Sequence, residues 1–230
     1  MITVKRCTAI HADFFGRIGC VGDRMHVHPA RRRAAGRAHG GFPMNRVSQA
    51  MKSVHRIGFL PDSCREHWRV DAPLPIGHGQ TNSQPSTVAN MLELLDVRPG
   101  QRILDVGTGS GWSTALLATL TGPDGTVTGT ELVPELTAFG QRNLSAHDLP
   151  NAQIRQAVDG VFGLPDEAPF DRILVSAEAP ELPTDLVAQL ADDGVLVIPV
   201  AGDMLRVRMV DGAAETTRHG RYRFVPLLRG

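Results

Sequence analysis

The sequence has no long apolar run. Nothing in its 230 residues approaches the roughly 20 consecutive apolar side chains that a bilayer-spanning helix requires. It has no excess of either charge. With 24 Lys and Arg against 24 Asp and Glu, the balance gives no global reason to expect nucleic acid or an anionic membrane as partner. It is poor in cysteine. Cys7, Cys20 and Cys64 are odd in number and widely spaced, which fits neither a disulfide framework nor a zinc pattern. A cytoplasmic setting is the simpler expectation. The N-terminus also lacks the apolar core of a secretory signal. What is present is a globular composition, 42% hydrophobic and 21% charged. That length suits one large domain with a sizeable core.

Residues 1–44 differ from the rest. They hold two cysteines, four histidines and "ARRRAAGRAHGG", with no sustained apolar period. A basic, disordered N-terminal extension is expected there, with Met44 as an alternative start; an arm that binds an acidic partner is the competing reading. "HVH" (His26 to His28) lacks a third ligand in register, so no metal site is expected. From Asn45 the texture is globular, and 45–230 is read as one domain. Val47, Met51 and Val54 recur at helical spacing. The prolines of "RIGFLP" and "REHWRVDAPLPIG" suggest an extended, winding connection. "HGQTNSQPST" has no large apolar side chain and reads as a polar loop. It leads into the amphipathic helix "STVANMLELLDV", with Ser86 or Thr87 as its N-cap.

Beyond it, short apolar runs alternate with helices. "QRILDVG", "GTVTGTEL", "AQIRQAVDG", "FDRILVSA" and "DGVLVIPV" read as strands. "GWSTALLATL", "VPELTAFGQRNLSAHDL" and "LPTDLVAQL" read as helices. "MLRVRMV" and "RYRFVPLL" are expected as closing strands. The pattern implies a Rossmann-like, doubly wound, mostly parallel α/β sheet of seven strands, helices on both faces and an antiparallel C-terminal edge element.

In "ILDVGTGSGW", Gly107, Gly109 and Gly111 follow the first strand of this series, where an open α/β sheet binds ligands. The spacing is not the G-x-G-x-x-G of a dinucleotide fold. No Gly-Lys-Ser/Thr follows either, which excludes a P-loop. Asp105 before the loop would repel a pyrophosphate and favour a ligand carrying an ammonium and a sulfonium, as S-adenosylmethionine does. Glu131, 20 residues beyond Gly111, stands where nucleotide folds hold ribose hydroxyls, or it simply starts the next helix. Asp159 in "AVDG" is placed to accept from an adenine amino group, or only to cap a turn. The cofactor set is therefore Asp105, Gly107, Thr108, Gly109, Gly111, Glu131, Asp159 and Gly160.

Taken together, "ILDVGTGSGW … TGTEL … AVDG" is similar to the methyltransferases with a seven-stranded Rossmann-like sheet. "PLPIGHGQTNSQPSTVANMLELL" resembles the region before the glycine loop in protein-L-isoaspartate O-methyltransferases, where a G-Q-T-x-S-x-P loop lies over the active site. "AMKSVHRIGFLP", "GLPDEAPFDRILVSAEAPELPTDLVAQLADDGVLVIPV" and "RFVPLLRG" resemble the same family, so the likeness runs from about residue 45 to 230. It implies S-adenosylmethionine-dependent methylation of L-isoaspartyl carboxylates in damaged proteins. It also implies that Ser83 contacts the substrate carboxylate, that Gln80, Thr81 and Asn82 shape the acceptor wall, and that main chain near Val225 helps bind the substrate peptide. A monomer acting on isoaspartyl proteins or peptides, with no nucleic acid or membrane partner, is expected.

Three residues motivate an alternative. Asn82 stands where the family commonly has isoleucine. Ser86 replaces a bulkier residue after Pro85, and Glu178 adds charge after the fourth strand of the series. They suggest a methyltransferase for a normal aspartate of a dedicated peptide. A protein that binds the cofactor without transferring its methyl ranks third, and an NAD-dependent oxidoreductase lower still because the glycine spacing is wrong.

Overall fold

The computed structural model describes residues 45–229. The expectations for residues 1–44, the extension and the "HVH" pair, lie outside the described residues.

Helix α1 (Arg46–Ser53) starts at Asn45, whose side chain accepts the Ser48 N–H at 2.7 Å. It is fastened to the domain by Arg46, which donates to the carbonyls of Val97 and Leu120. Two 3₁₀ turns follow, Arg56–Phe59 and Asp62–His67, where the prolines had suggested an extended run. "HGQTNSQPST" is also more ordered than a loop. Strand β1 (Leu74–Gly77) turns back on β2 (Gln80–Asn82) as an antiparallel two-stranded ribbon. Leu74 and Ile76 are its buried apolar side chains.

Helix α2 (Pro85–Leu95) carries Pro85 in its first turn, where a missing N–H costs nothing. Its cap corrects the expectation of Ser86 or Thr87. Gln84 occupies the cap position without a side-chain bond. The first-turn donors go instead to Asp71, which accepts the Ser86 N–H at 2.9 Å and the Gln84 side-chain amide at 3.0 Å.

The main sheet contains β3 (Arg102–Val106), β4 (Thr126–Glu131), β5 (Ala152–Gln156), β6 (Phe170–Val175), β7 (Leu190–Val200), β8 (Asp203–Val210) and β9 (Ala213–Arg221). Their spatial order is β5-β4-β3-β6-β7-β8-β9. The first five run parallel, and β8 and β9 are antiparallel additions. The chain leaves β5 at one edge and re-enters beside β3 as β6. That reversal opens a crevice beyond the ends of β3 and β6.

Alternate residues of the central strands feed two cores. Ile103, Leu174, Val195 and Val197 face α1, α2, α3 (Trp112–Thr121) and α4 (Pro134–Ser145). Leu104, Val106, Ile173, Val175, Leu196 and Ile198 face the opposite layer. Helices therefore cover both faces, but unequally. On the second face "LPTDLVAQL" yields only the single turn α5 (Thr184–Val187). Gln189 ends it, with its side chain donating to the Phe162 and Asp185 carbonyls and accepting the Leu164 N–H.

The C-terminal edge needs a further correction. The last strand is β9, "AAETTRHGR", not "RYRFVPLL". Residues 222–229 form no further strand and include an isolated bridge between Glu178 and Pro226.

Asp71→Ala should cost about 1 kcal/mol, the usual worth of an N-cap. The Ser86 N–H bond, followed by the Gln84 amide, holds the Asp71 carboxyl below the usual carboxylate range. Its contribution is present above the unfolded pKa of about 3.9 and is lost as pH falls through the lower folded value. Urea midpoints of wild type and variant should therefore differ at pH 7 and converge in acid.

Candidate active site

The cleft lies at the carboxyl ends of β3, β4 and β6. Its floor is Val106, Gly107, Thr108 and Gly109; one side is Thr130 and Glu131, and the other Ser176 and Ala177. Residues 80–83 of the ribbon form a wall, and residues 225–229 of the tail form another.

Two glycines of the loop do different work. Gly109 sits at φ +53°, and a Cβ there would stand 3.1 Å from Ile76 Cδ1. Its bare backbone is what lets the ribbon lie against the loop. Gly111, at φ +89°, faces away from the cleft. A Cβ there would meet Ile154 Cδ1 at 2.9 Å and the Gly140 carbonyl at 3.1 Å. Gly111 serves the close approach of α4 and is not among the cleft-lining residues.

Asp105 is likewise behind the site rather than in it. It is fully buried, and one carboxylate oxygen accepts the Ser113 and Thr114 hydroxyls, each at 2.7 Å. The other oxygen has no partner among the described residues. Burial pushes this carboxyl above its usual range, against the pull of the three hydroxyls of Ser113, Thr114 and Thr108. Asp105 thus ties the end of β3 to the first turn of α3.

Glu131 does reach the cleft. Its carboxylate accepts the Gly109 N–H at 2.8 Å and the Val133 N–H at 3.0 Å, which fixes the loop to the end of β4. Each oxygen keeps a second lone pair for a ligand donor. Asp159 and Gly160 are exposed and outside the lining. Their neighbours Ala157, Val158 and Val161 line it instead, while the Gly160 N–H donates to the Arg229 carbonyl.

The acceptor wall divides in the same way. Gln80, Thr81 and Ser83 are half-buried, and their side chains take no hydrogen-bond partner among the described residues. Asn82 is buried, and both ends of its amide are engaged. Its Oδ1 accepts from Arg56 Nε at 2.6 Å, and its Nδ2 donates to Ser110 Oγ at 2.9 Å. It lines the cleft with both ends of its amide already engaged. Val225 lines the cleft, and its carbonyl accepts the Glu178 N–H at 2.8 Å; the Leu227 N–H returns to the Glu178 carbonyl at 2.7 Å. Ser86 and Glu178 do not line the cleft.

Sequence reasoning missed Ser110, Phe162 and Arg229. Ser110 had a signal, a hydroxyl between two loop glycines. Phe162 and Arg229 had none, because only the folded tail lays the Arg229 guanidinium 4.5 Å over the Phe162 ring and against Asp185.

A glycine loop at the switch point, an acid at the next strand end and a walled cleft define a Rossmann-like methyltransferase of the S-adenosylmethionine-dependent superfamily. The family model described as "Protein-L-isoaspartate(D-aspartate) O-methyltransferase (PCMT)" matches residues 34–230. The chain belongs to that family.

Relatives agree. A protein-L-isoaspartate O-methyltransferase of Methanopyrus kandleri is 46% identical over 195 residues, 82% of this chain and 86% of the relative. One of Anaeromyxobacter dehalogenans is 45% identical over 196 residues, 82% and 92% respectively. A crystal structure of a Plasmodium falciparum protein-L-isoaspartate O-methyltransferase, in complex with S-adenosyl-L-homocysteine, superimposes with a TM-score of 0.73. It is 28% identical and covers 82% of this chain and 93% of that one.

The two glycines should separate in experiment. Gly111→Ala combines a positive φ with a clash against α4 and should cost roughly 2–4 kcal/mol of stability. Gly109→Ala shares the positive-φ strain, about 1 kcal/mol, but meets only the movable end of Ile76. It should lower turnover more than it lowers the denaturant midpoint.

Proposed function

We propose that this chain methylates the carboxylate of L-isoaspartyl residues in damaged proteins, with S-adenosylmethionine as methyl donor. One observation carries the reading. Gln80, Thr81 and Ser83 present uncommitted polar side chains across a single cleft from the glycine loop. When bound, the cofactor supplies an electrophilic methyl group on a sulfonium.

The chain's own residues position the reactants. The bare backbone at Gly107 and Gly109, with Thr108, would receive the cofactor, and Glu131 would accept from its ribose hydroxyls. Asp159 and Gly160 stand at the rim, where the adenine end would lie. Asp105 and Gly111 act from behind, by holding the loop in shape. On the opposite wall, Ser83 donates its hydroxyl to one oxygen of the acceptor carboxylate, leaving the other oxygen to face the methyl group. Gln80 and Thr81 complete the polar wall. The tail near Val225 is paired to Glu178 along one edge; its other edge suits an extended peptide, by strand addition.

No general base is required. A carboxylate with a pKa of about 4 is ionised at neutral pH, so rate comes from proximity and alignment. The methyl ester then loses methanol when the following backbone nitrogen attacks, closing a succinimide. Hydrolysis of that ring returns part of the product as normal aspartate.

The aspartyl-peptide alternative rested on Asn82, Ser86 and Glu178. Asn82 is committed inward, and the other two lie outside the cleft lining, so no observation favours it. A cytoplasmic monomer is the setting proposed. Among the described residues no helix is long and apolar enough to cross a membrane.

Paired peptides that differ only in an isoaspartyl or aspartyl linkage, incubated with labelled donor, test the reading. Ester should form on the isoaspartyl member alone; ester on the aspartyl member, or on neither, overturns it. Ser83→Ala should lower kcat by about 10-fold or more, the loss expected for a charge-assisted hydrogen bond. Its affinity for S-adenosylhomocysteine should stay near wild type in calorimetry. The rate should be flat with pH above about 5, once the acceptor carboxylate is ionised.

A further inference from the structure

Transfer between two bound groups needs the walls that hold them to keep a fixed separation, since a shift of about 1 Å costs up to a hundredfold in rate. Ribbon and glycine loop are separate segments of chain, and one buried path joins them through polar side chains.

Arg56 is 2% exposed. Its guanidinium donates to Asn82 Oδ1 at 2.6 Å, the Asn82 carbonyl at 2.8 Å, the Ala72 carbonyl at 2.9 Å and the Val70 carbonyl at 3.1 Å. It also lies 5.7 Å over the ring of Trp112. Trp112 opens α3, and its indole N–H donates to the Val54 carbonyl at 3.1 Å. The end of the ribbon is thereby pinned. From Asn82, the amide NH₂ spans to Ser110 Oγ at 2.9 Å. Ser110 is 2% exposed, and its carbonyl is held from the other side by Asn143 Nδ2 at 2.9 Å.

We propose that Asn82 is a positioning residue. Anchored by Arg56, it couples the acceptor wall to the cofactor loop through Ser110. The inference rests on the placement of acceptor and donor on opposite walls. Its consequence is that breaking this one link is felt on both walls: removing the Asn82 amide weakens cofactor binding, and removing the Ser110 hydroxyl weakens acceptor binding. A side chain that merely filled space would not produce that crossing.

The test is a double-mutant cycle on S-adenosylhomocysteine affinity by calorimetry, with Asn82→Ala, Ser110→Ala and both together. Each single variant should weaken affinity by about 5-fold, the worth of one hydrogen bond. If the two act through one bond, the double variant is no weaker than the worse single. Penalties that multiply, or an unchanged affinity in Asn82→Ala, overturn the proposal. Asn82→Asp should retain wild-type affinity, because a carboxylate still accepts from Arg56 and now accepts the Ser110 hydroxyl. Ser110→Ala leaves every Arg56 bond in place. If Asn82→Ala does not fold, the cycle therefore runs with Asn82→Asp, in which Ser110→Ala must still cost about 5-fold. The second readout is KM for the isoaspartyl peptide, which Ser110→Ala should raise although Ser110 lies on the loop. The affinity cycle uses no acceptor, so it stands or falls separately from the isoaspartyl reading itself.

Discussion

A buried cation that, among the described residues, hydrogen-bonds to no carboxylate organises this site. Arg56 is enclosed by the segment that follows α1, by the ribbon and by the first residue of α3, and every bond it makes is to a neutral oxygen. Burial lowers its pKa to about 10, with Asp71 and Cys64 opposing the shift, so the guanidinium remains charged at neutral pH. A buried charge is tolerated only when its donors are met. Here that requirement dictates where the Val70, Ala72 and Asn82 carbonyls must go. The connection that read as a winding, proline-rich stretch is folded around that demand.

The sheet, by contrast, is governed by pattern. Strands β3, β4, β5, β6 and β7 and helices α3 and α4 appear where the apolar runs and periods place them, because burial on two faces leaves a strong signature. The crevice at the end of β3 follows from the glycines and from strand order. What could not be read obeys weaker or longer-range rules. Strand β9 has no apolar alternation because nearly all of its side chains are exposed; it exists by pairing with β8 alone. "RYRFVPLL" has the composition of a strand, but beyond Arg221 its strand pairing is a single isolated bridge, and Tyr222, Phe224 and Leu227 attach it by packing.

The same division holds within the cleft. Gln80, Thr81, Ser83 and the loop residues Gly107 to Gly109 lie where the resemblance and the glycine spacing indicate. Asp105 and Gly111 sit at motif positions yet face inward, since a motif records which residues are needed and not which way each side chain points. Asn82 is the sharpest case. A polar residue in a polar stretch was expected to shape the acceptor wall, but the partners of its amide are 26 and 28 residues away in the sequence. Asp71 capping α2 from 15 residues upstream escapes local reading for the same reason.

The outermost strands carry a consequence of their own. A sheet of seven strands has two rims, and each rim offers unpaired backbone groups to any passing strand. At one, β9 exposes Glu215, Arg218 and Arg221; at the other, β5 carries Gln153, Arg155 and Gln156. A neighbouring molecule that tried to extend the sheet would have to strip water from these charges and amides with nothing apolar to gain. Among the described residues the sheet ends on two well-hydrated rims, which discourage its continuation by a second molecule.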